Sequence, residues 1–143
     1  MPFYYFLPIG FPQSRWDDSK KSVWESEFLM TILTIFQWAF AAGTVITGFI
    51  SLLWPLSIRG FTGLVAEGGR GKTEIRAVMG GVFLALGLAP LLFDTSTAFK
   101  ILGFTYLVIG LVRVVSIYVD RSFMRSNILS LAVEFVFGVV LIL

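Results

Sequence analysis

Two ionisable residues lie where a membrane-like chain can least accommodate them: Arg113 in VIGLVRVVSIYV and Glu134 in LSLAVEFVFGVV. Even insertion-based scales put the cost of an Arg at the centre of a bilayer helix at about 2.5–3.5 kcal/mol, so such charges pair or face a cavity. Arg113 precedes Asp120 by seven residues, and Glu134 follows Asn127 by seven. At about 1.5 Å of rise per residue, both sit roughly 10 Å from the loop that joins their helices. An antiparallel hairpin brings them to the same depth, and an Arg113–Glu134 ion pair of bidentate geometry is expected. Glu74 and Arg76 enter the preceding apolar run from the same side. The expectation therefore extends to one neutral intramembrane cluster of Glu74, Arg76, Arg113 and Glu134. Two roles fit it: fixing helix register, or a functional one in which it holds an anionic or zwitterionic ligand or relays protons through Glu134.

A second stretch invites a chemical reading. AEGGRGKT, residues 66–73, matches the relaxed pattern of a phosphate-binding loop. A working phosphate loop lies between a buried parallel strand and a helix, and needs an Asp on a second strand to hold Mg²⁺. Here Phe61–Val65 is the one candidate strand, and no apolar run ends in Asp outside the four apolar segments. The pattern reads as a glycine-rich turn, and nucleotide is not expected as a partner. Other chemistry is limited by the alphabet. The chain has no His and no Cys, which removes the usual general base, the commonest metal ligand, thiolate chemistry and His ligation of haem. No catalytic residue, metal site or cofactor is expected, and the protein reads as a non-enzyme.

The elements that position the charges follow from composition. Of 143 residues, 57% are apolar and 14% charged, against roughly 45–50% and 25% in soluble domains. Four apolar runs approach or exceed the ~20 residues that span a bilayer: about 29–54, 75–93, 101–119 and 128–143. The fold class is an all-α integral membrane protein, a four-transmembrane-helix bundle with an N-terminal interfacial arm. Its domains are an aromatic arm over 1–28 and a membrane domain over 29–143. The arm opens MPFYYFLPIGFPQSR, too poor in basic residues and too rich in Pro for a signal peptide, and is expected to be retained. Residues 1–13 read as irregular. Ser14 and Asp17 then make a capping box, and Trp16, Val23 and Trp24 suit a headgroup layer.

Small residues mark the helix faces turned toward other helices. Ala39, Gly43 and Thr47 form such a stripe on the first span; Arg76, Gly80, Phe83 and Gly87 share a face of the second, with Gly81 beside it. Tyr106, Gly110 and Arg113 share one on the third, and Glu134 and Gly138 one on the fourth. Between spans one and two, residues 56–74 read as a connection partly embedded in the interface. Connections one and three carry Arg59, Arg70, Lys72, Arg76, Arg121 and Arg125, against Arg15, Lys20, Lys21 and Lys100 on the other side. That bias sets both termini outside the cytoplasm. The net charge of +2 is dispersed, without the basic face of a nucleic-acid binder.

RGKTEIRAVMGGVFLALG, LVRVV and AVEFVFG, taken together, resemble the small bacterial four-helix membrane proteins grouped as domain of unknown function 4345. The residues that carry the resemblance are Arg70, Gly71, Glu74, Ile75, Arg76, Ala77, Gly80, Gly81, Arg113 and Glu134. It covers roughly residues 33–143 and implies a multi-pass protein of the bacterial inner membrane in which the charged cluster matters; it implies no activity. The aromatic arm, the small-residue faces and the missing cofactor ligands point to a non-catalytic accessory or structural subunit of a larger, energy-converting membrane complex. Its partners would be lipids and other membrane subunits. The alternative is a small carrier or a proton or solute conduit built on the Arg/Glu cluster.

Overall fold

The computed structural model describes residues 13–93 and 95–143, with side chains from Lys20 onward except Phe61 and Asp94. The aromatic segment before residue 13 and the side chains of Ser14, Trp16 and Asp17 lie outside the described residues. Among those described, every regular element is helical. α1 spans Gln13–Leu53, α2 Arg59–Thr62 and α3 Gly68–Glu74. A π-helical segment, Ile75–Gly81, leads into α4, Val82–Phe93; α5 spans Ser96–Val119 and α6 Arg125–Ile142. Four stretches are long and apolar enough to cross a membrane: Lys20–Leu53, Gly68–Phe93, Ser96–Val119 and Arg125–Ile142. Helices are what such runs must form, because hydrocarbon offers no partner to a free backbone N–H or C=O. The protein is thus an all-α, four-span membrane bundle.

The element ends show where hydropathy alone misplaces a boundary. The third helix starts at Ser96 rather than near 101, because Thr95, in extended conformation, accepts from Ala98 N through its side chain at 3.3 Å. That cap satisfies one of the orphan amides of the first turn. The connection over 56–74 is also more ordered than expected. Gly63, at φ +74°, closes α2 by donating to Arg59 O, and Gly68, at φ +63°, begins α3. Both angles favour glycine. The segment expected as a turn, GGRGKT, winds into α3, with Gly71 N bonded to Glu67 O at 3.2 Å.

α5 and α6 form the expected antiparallel hairpin. Its turn is a Schellman-type cap in which Ser122 N reaches Ile117 O at 3.1 Å, with Arg121 at φ +49° in the position usually given to Gly. Asn127 Nδ2 holds the turn from the other side through Ser122 O at 2.9 Å. The left-handed geometry costs an L side chain roughly 1 kcal/mol. Arg121→Gly is therefore expected to leave the fold intact and raise the unfolding free energy by up to about 1 kcal/mol, read by thermal unfolding in detergent.

By contacts the chain divides at Ile32/Leu33. In the first unit, the described side chains from Lys20 to Thr31 are exposed. In the second, packing is built on glycines. A Cβ at Gly103 would lie 2.8 Å from Gly138 O, and one at Gly138 would meet the Leu107 side chain and, at 3.1 Å, Gly103 O. α5 and α6 therefore touch backbone to backbone. The second span meets α1 the same way. A Cβ at Gly87 would lie 2.8 Å from Val45 N, one at Gly48 2.6 Å from Leu84 N, and one at Gly80 3.1 Å from Leu52 Cα.

The buried stripe of α1 is Ala41, Thr44, Gly48 and Ser51. It is not the expected row of Ala39, Gly43 and Thr47: Ala39 and Thr47 are exposed, and a Cβ at Gly43 would meet nothing within 4 Å. Two neighbouring faces of this helix carry small residues, and size alone did not say which one packs. Gly81, too, has no neighbour across a helix contact, while Gly110 makes ordinary contacts with Glu134 Cβ and the Phe135 ring. Above these crossings, Phe40 stacks on Phe137 with centroids 3.9 Å apart, and Tyr106 meets Phe137 edge-on at 5.3 Å. Together they join α1, α5 and α6.

Candidate functional site

The charge pair forms as the helix register dictates. Arg113 Nε donates to both Glu134 oxygens, at 2.9 and 2.8 Å, and Nη2 donates to Oε1 at 2.5 Å. Among the described residues it is the sole ion pair. The Glu134 side chain is 8% exposed and that of Arg113 31%. All three bonds are charge-assisted, the strong kind in a medium that cannot solvate either group. Both Nη1 protons and the second on Nη2 remain without a partner among the described residues.

Glu74 and Arg76 do not join them. Both are exposed, and Arg76 Nε instead donates to Leu52 O at 3.0 Å. The reason lies in the local winding. The face assigned to Arg76, Gly80, Phe83 and Gly87 assumed α-helical spacing, in which positions four apart stack. Residues Ile75–Gly81 are π-helical, closing over five residues, and the buried pair of that segment is Ile75 and Gly80, five apart. Arg76 is thereby rotated off the inner face. It finds one of the last carbonyls of α1, which lack a partner within their own helix and carry the negative end of its dipole. Removing that contact with Arg76→Met is expected to cost about 0.5–1 kcal/mol. Thermal unfolding in detergent reads the loss, which should leave the Arg113–Glu134 pair unaffected.

Beside the pair lies a cavity of about 530 Å³. Its walls are mostly apolar, with Ile50, Met79, Phe83, Ile109, Val133 and Phe137 among them. Ser57, Ile58 and Thr62, from the segment around α2, border it as well. Gly43 and Thr47, which the packing leaves open, face this space, so the small residues of that row make room rather than contact. Polar side chains also reach the wall, Thr47, Thr62 and Tyr106 among them. Tyr106 Oη is 2.8 Å from Thr44 Oγ1 in a buried hydrogen bond, and Ser51 Oγ donates to Thr47 O at 2.9 Å. Ser130 is 6% exposed, and its hydroxyl has no hydrogen-bond partner among the described residues. A space of roughly 300–1,000 Å³ with apolar walls and a few convergent polar groups is the usual form of a small-molecule site.

Sequence reasoning missed Ser130, Thr44, Gly48 and Gly103. Ser130 had a signal, since it precedes Glu134 by four residues as Gly138 follows it by four. Thr44 and Gly48 had none that separated them from the neighbouring row. No group of three His, Cys, Asp or Glu side chains comes together among the described residues. The phosphate-loop residues Arg70, Lys72 and Thr73 are exposed, with Thr73 Oγ1 donating to Gly69 O at 3.1 Å. They line no part of the cavity.

The family model described as domain of unknown function (DUF4345) matches residues 32–143. No curated protein and no solved structure matches the chain. The match spans the Arg113–Glu134 pair and every residue that lines the cavity.

Proposed function

We propose that this chain, which belongs to the family described as domain of unknown function (DUF4345), uses the cavity of its membrane domain to hold one small membrane-soluble molecule. The role is non-catalytic: a binding protein or small carrier. The observation that carries this reading is the ≈ 530 Å³ cavity with Arg113 and Glu134 on its wall. Charges inside a bundle commonly line a ligand or ion pathway. A register pin alone does not call for an adjoining cavity of this size. Native mass spectrometry of protein gently extracted from its membrane tests it. The expected result is one copy of a defined small molecule per chain. Bare protein, or a ladder of ordinary phospholipid adducts, would contradict it.

A second role is supported by the chain ahead of the family match. Residues before 32 lie outside the matched region, and Val23, Trp24 and Phe28 there are 53–70% exposed, large apolar side chains of the kind that subunit contacts bury. This supports an accessory subunit of a larger assembly, with this segment as the docking element, in a bacterial inner membrane. The basic residues of the first and third connections support termini outside the cytoplasm. Affinity purification from native membranes should then recover stoichiometric partner chains, which deletion of residues 1–28 releases. A lone chain before deletion would count against the subunit role.

A further inference from the structure

Some hydrogen-bond donors around the cavity are engaged and others are not, and the unengaged ones bear on what could occupy it. Both oxygens of Glu134 accept from Arg113. The Thr47 hydroxyl proton goes to Gly43 O, that of Ser51 to Thr47 O and that of Ser57 to Trp54 O. Thr44 and Tyr106 are joined to each other. The donors left without a partner among the described residues are three guanidinium protons of Arg113 and the hydroxyl proton of Ser130, while the hydroxyl oxygens of the wall keep acceptor capacity. A guanidinium has no acceptor capacity, so its spare protons can be met only by an acceptor atom. Ser130 and Arg113 both border the same space.

Charge narrows the class further. The positive charge of Arg113 is already matched by a bidentate carboxylate. A second full charge placed beside this neutral pair, between walls formed by Ile109, Val133 and Phe137, would have no counter-ion. Desolvating an uncompensated ion costs several kcal/mol, whereas an uncharged carbonyl needs only the donors that are present. Apart from Thr62, whose hydroxyl donates to Ile58 O and accepts from Leu64 N, the remaining side chains of the lining are aliphatic or aromatic and offer burial to a hydrocarbon body. Resting on the ligand-binding role proposed above, we infer that the occupant is an uncharged, membrane-soluble molecule with an apolar body. Its acceptor oxygen, a ketone or quinone type of carbonyl, takes hydrogen bonds from Arg113 and Ser130.

The inference separates from its parent through three probes of nearly equal size: 2-undecanone, undecane and decanoate. Each competes against a fluorescent apolar reporter for the purified, detergent-solubilised full chain. The ketone is expected to displace the reporter with at least ten-fold higher affinity than undecane or decanoate. Ser130→Ala should weaken the ketone about five- to ten-fold, one neutral hydrogen bond's worth, and leave undecane unchanged. Because Ser130→Ala removes one oxygen from a wall that faces open space, reporter binding itself checks that the variant is folded. Equal binding of undecane and the ketone would overturn the donor assignment while keeping the cavity as a site. Preference for decanoate would overturn the uncharged class in favour of an anion. Failure of the reporter and every probe to bind would overturn the ligand-binding role itself, and this inference with it.

Discussion

Glu134→Ala is expected to lower the unfolding free energy by about 3 kcal/mol, the low end of the range for breaking one side of a buried ion pair. The loss arises less from the bonds removed than from what stays behind. Arg113 would keep its charge inside the bundle with no carboxylate, and its three charge-assisted bonds would have no replacement in hydrocarbon. The low end applies because the Arg113 side chain is 31% exposed and can lean toward the membrane surface. The same logic makes the double replacement informative. Arg113→Met with Glu134→Leu removes both charges and substitutes apolar groups of similar bulk, an exchange that is often neutral. It should recover most of the loss. Reversible unfolding in mixed detergent micelles measures both variants against the wild type. A double variant no more stable than Glu134→Ala would mean that the pair holds the helices together by its geometry, beyond mutual neutralisation.

Gly103→Leu is expected to be at least as damaging, by about 3 kcal/mol or more, and to deplete folded protein from the membrane. Overpacking a core typically costs about 1–3 kcal/mol when side chains can move aside. At Gly103 the obstacle is backbone: a Cβ there would lie 2.8 Å from Gly138 O and 2.8 Å from Leu141 Cβ. The hairpin would have to separate, taking the Arg113–Glu134 alignment with it. Gly110→Ala, on the same helix seven residues on, meets its nearest atoms at 3.5 Å and should change stability by less than about 0.5 kcal/mol. A Gly103→Leu protein as stable as Gly110→Ala would refute the close α5–α6 crossing.

The contrast between these glycines marks how far the sequence could be read. Four spans were legible because hydrocarbon sets their length and permits little except helix. The Arg113–Glu134 pair was legible because a hairpin converts equal distances from its turn into equal depth. The wider cluster was not, because one assumption about period failed. The π-helical winding of Ile75–Gly81 places Ile75 inward beside Gly80 and sends Arg76 to the end of α1. Nothing in IRAVMGG distinguishes that winding from an α-helix by composition. Small residues were likewise ambiguous. Gly48 and Gly103 lie against the backbone of a neighbouring helix, while Gly43, on an equally small-residue row, borders empty space. Spacing finds a face on a helix; it does not say whether a neighbour's backbone or a cavity lies opposite. The cavity itself had no sequence signal, since it arises from all four spans and the α2 segment meeting around side chains that none of them predicts alone.

Gly43 also offers the most direct test of the cavity as a binding site. A Cβ there would meet nothing within 4 Å, and the residue borders the cavity. Gly43→Leu should therefore fill the space without forcing helices apart. The decisive measurement is native mass spectrometry of the wild-type chain and Gly43→Leu, extracted side by side from native membranes. The account predicts a single small-molecule adduct on the wild type and its loss from an equally abundant, folded variant. An adduct retained by Gly43→Leu, or none on either chain, would contradict it.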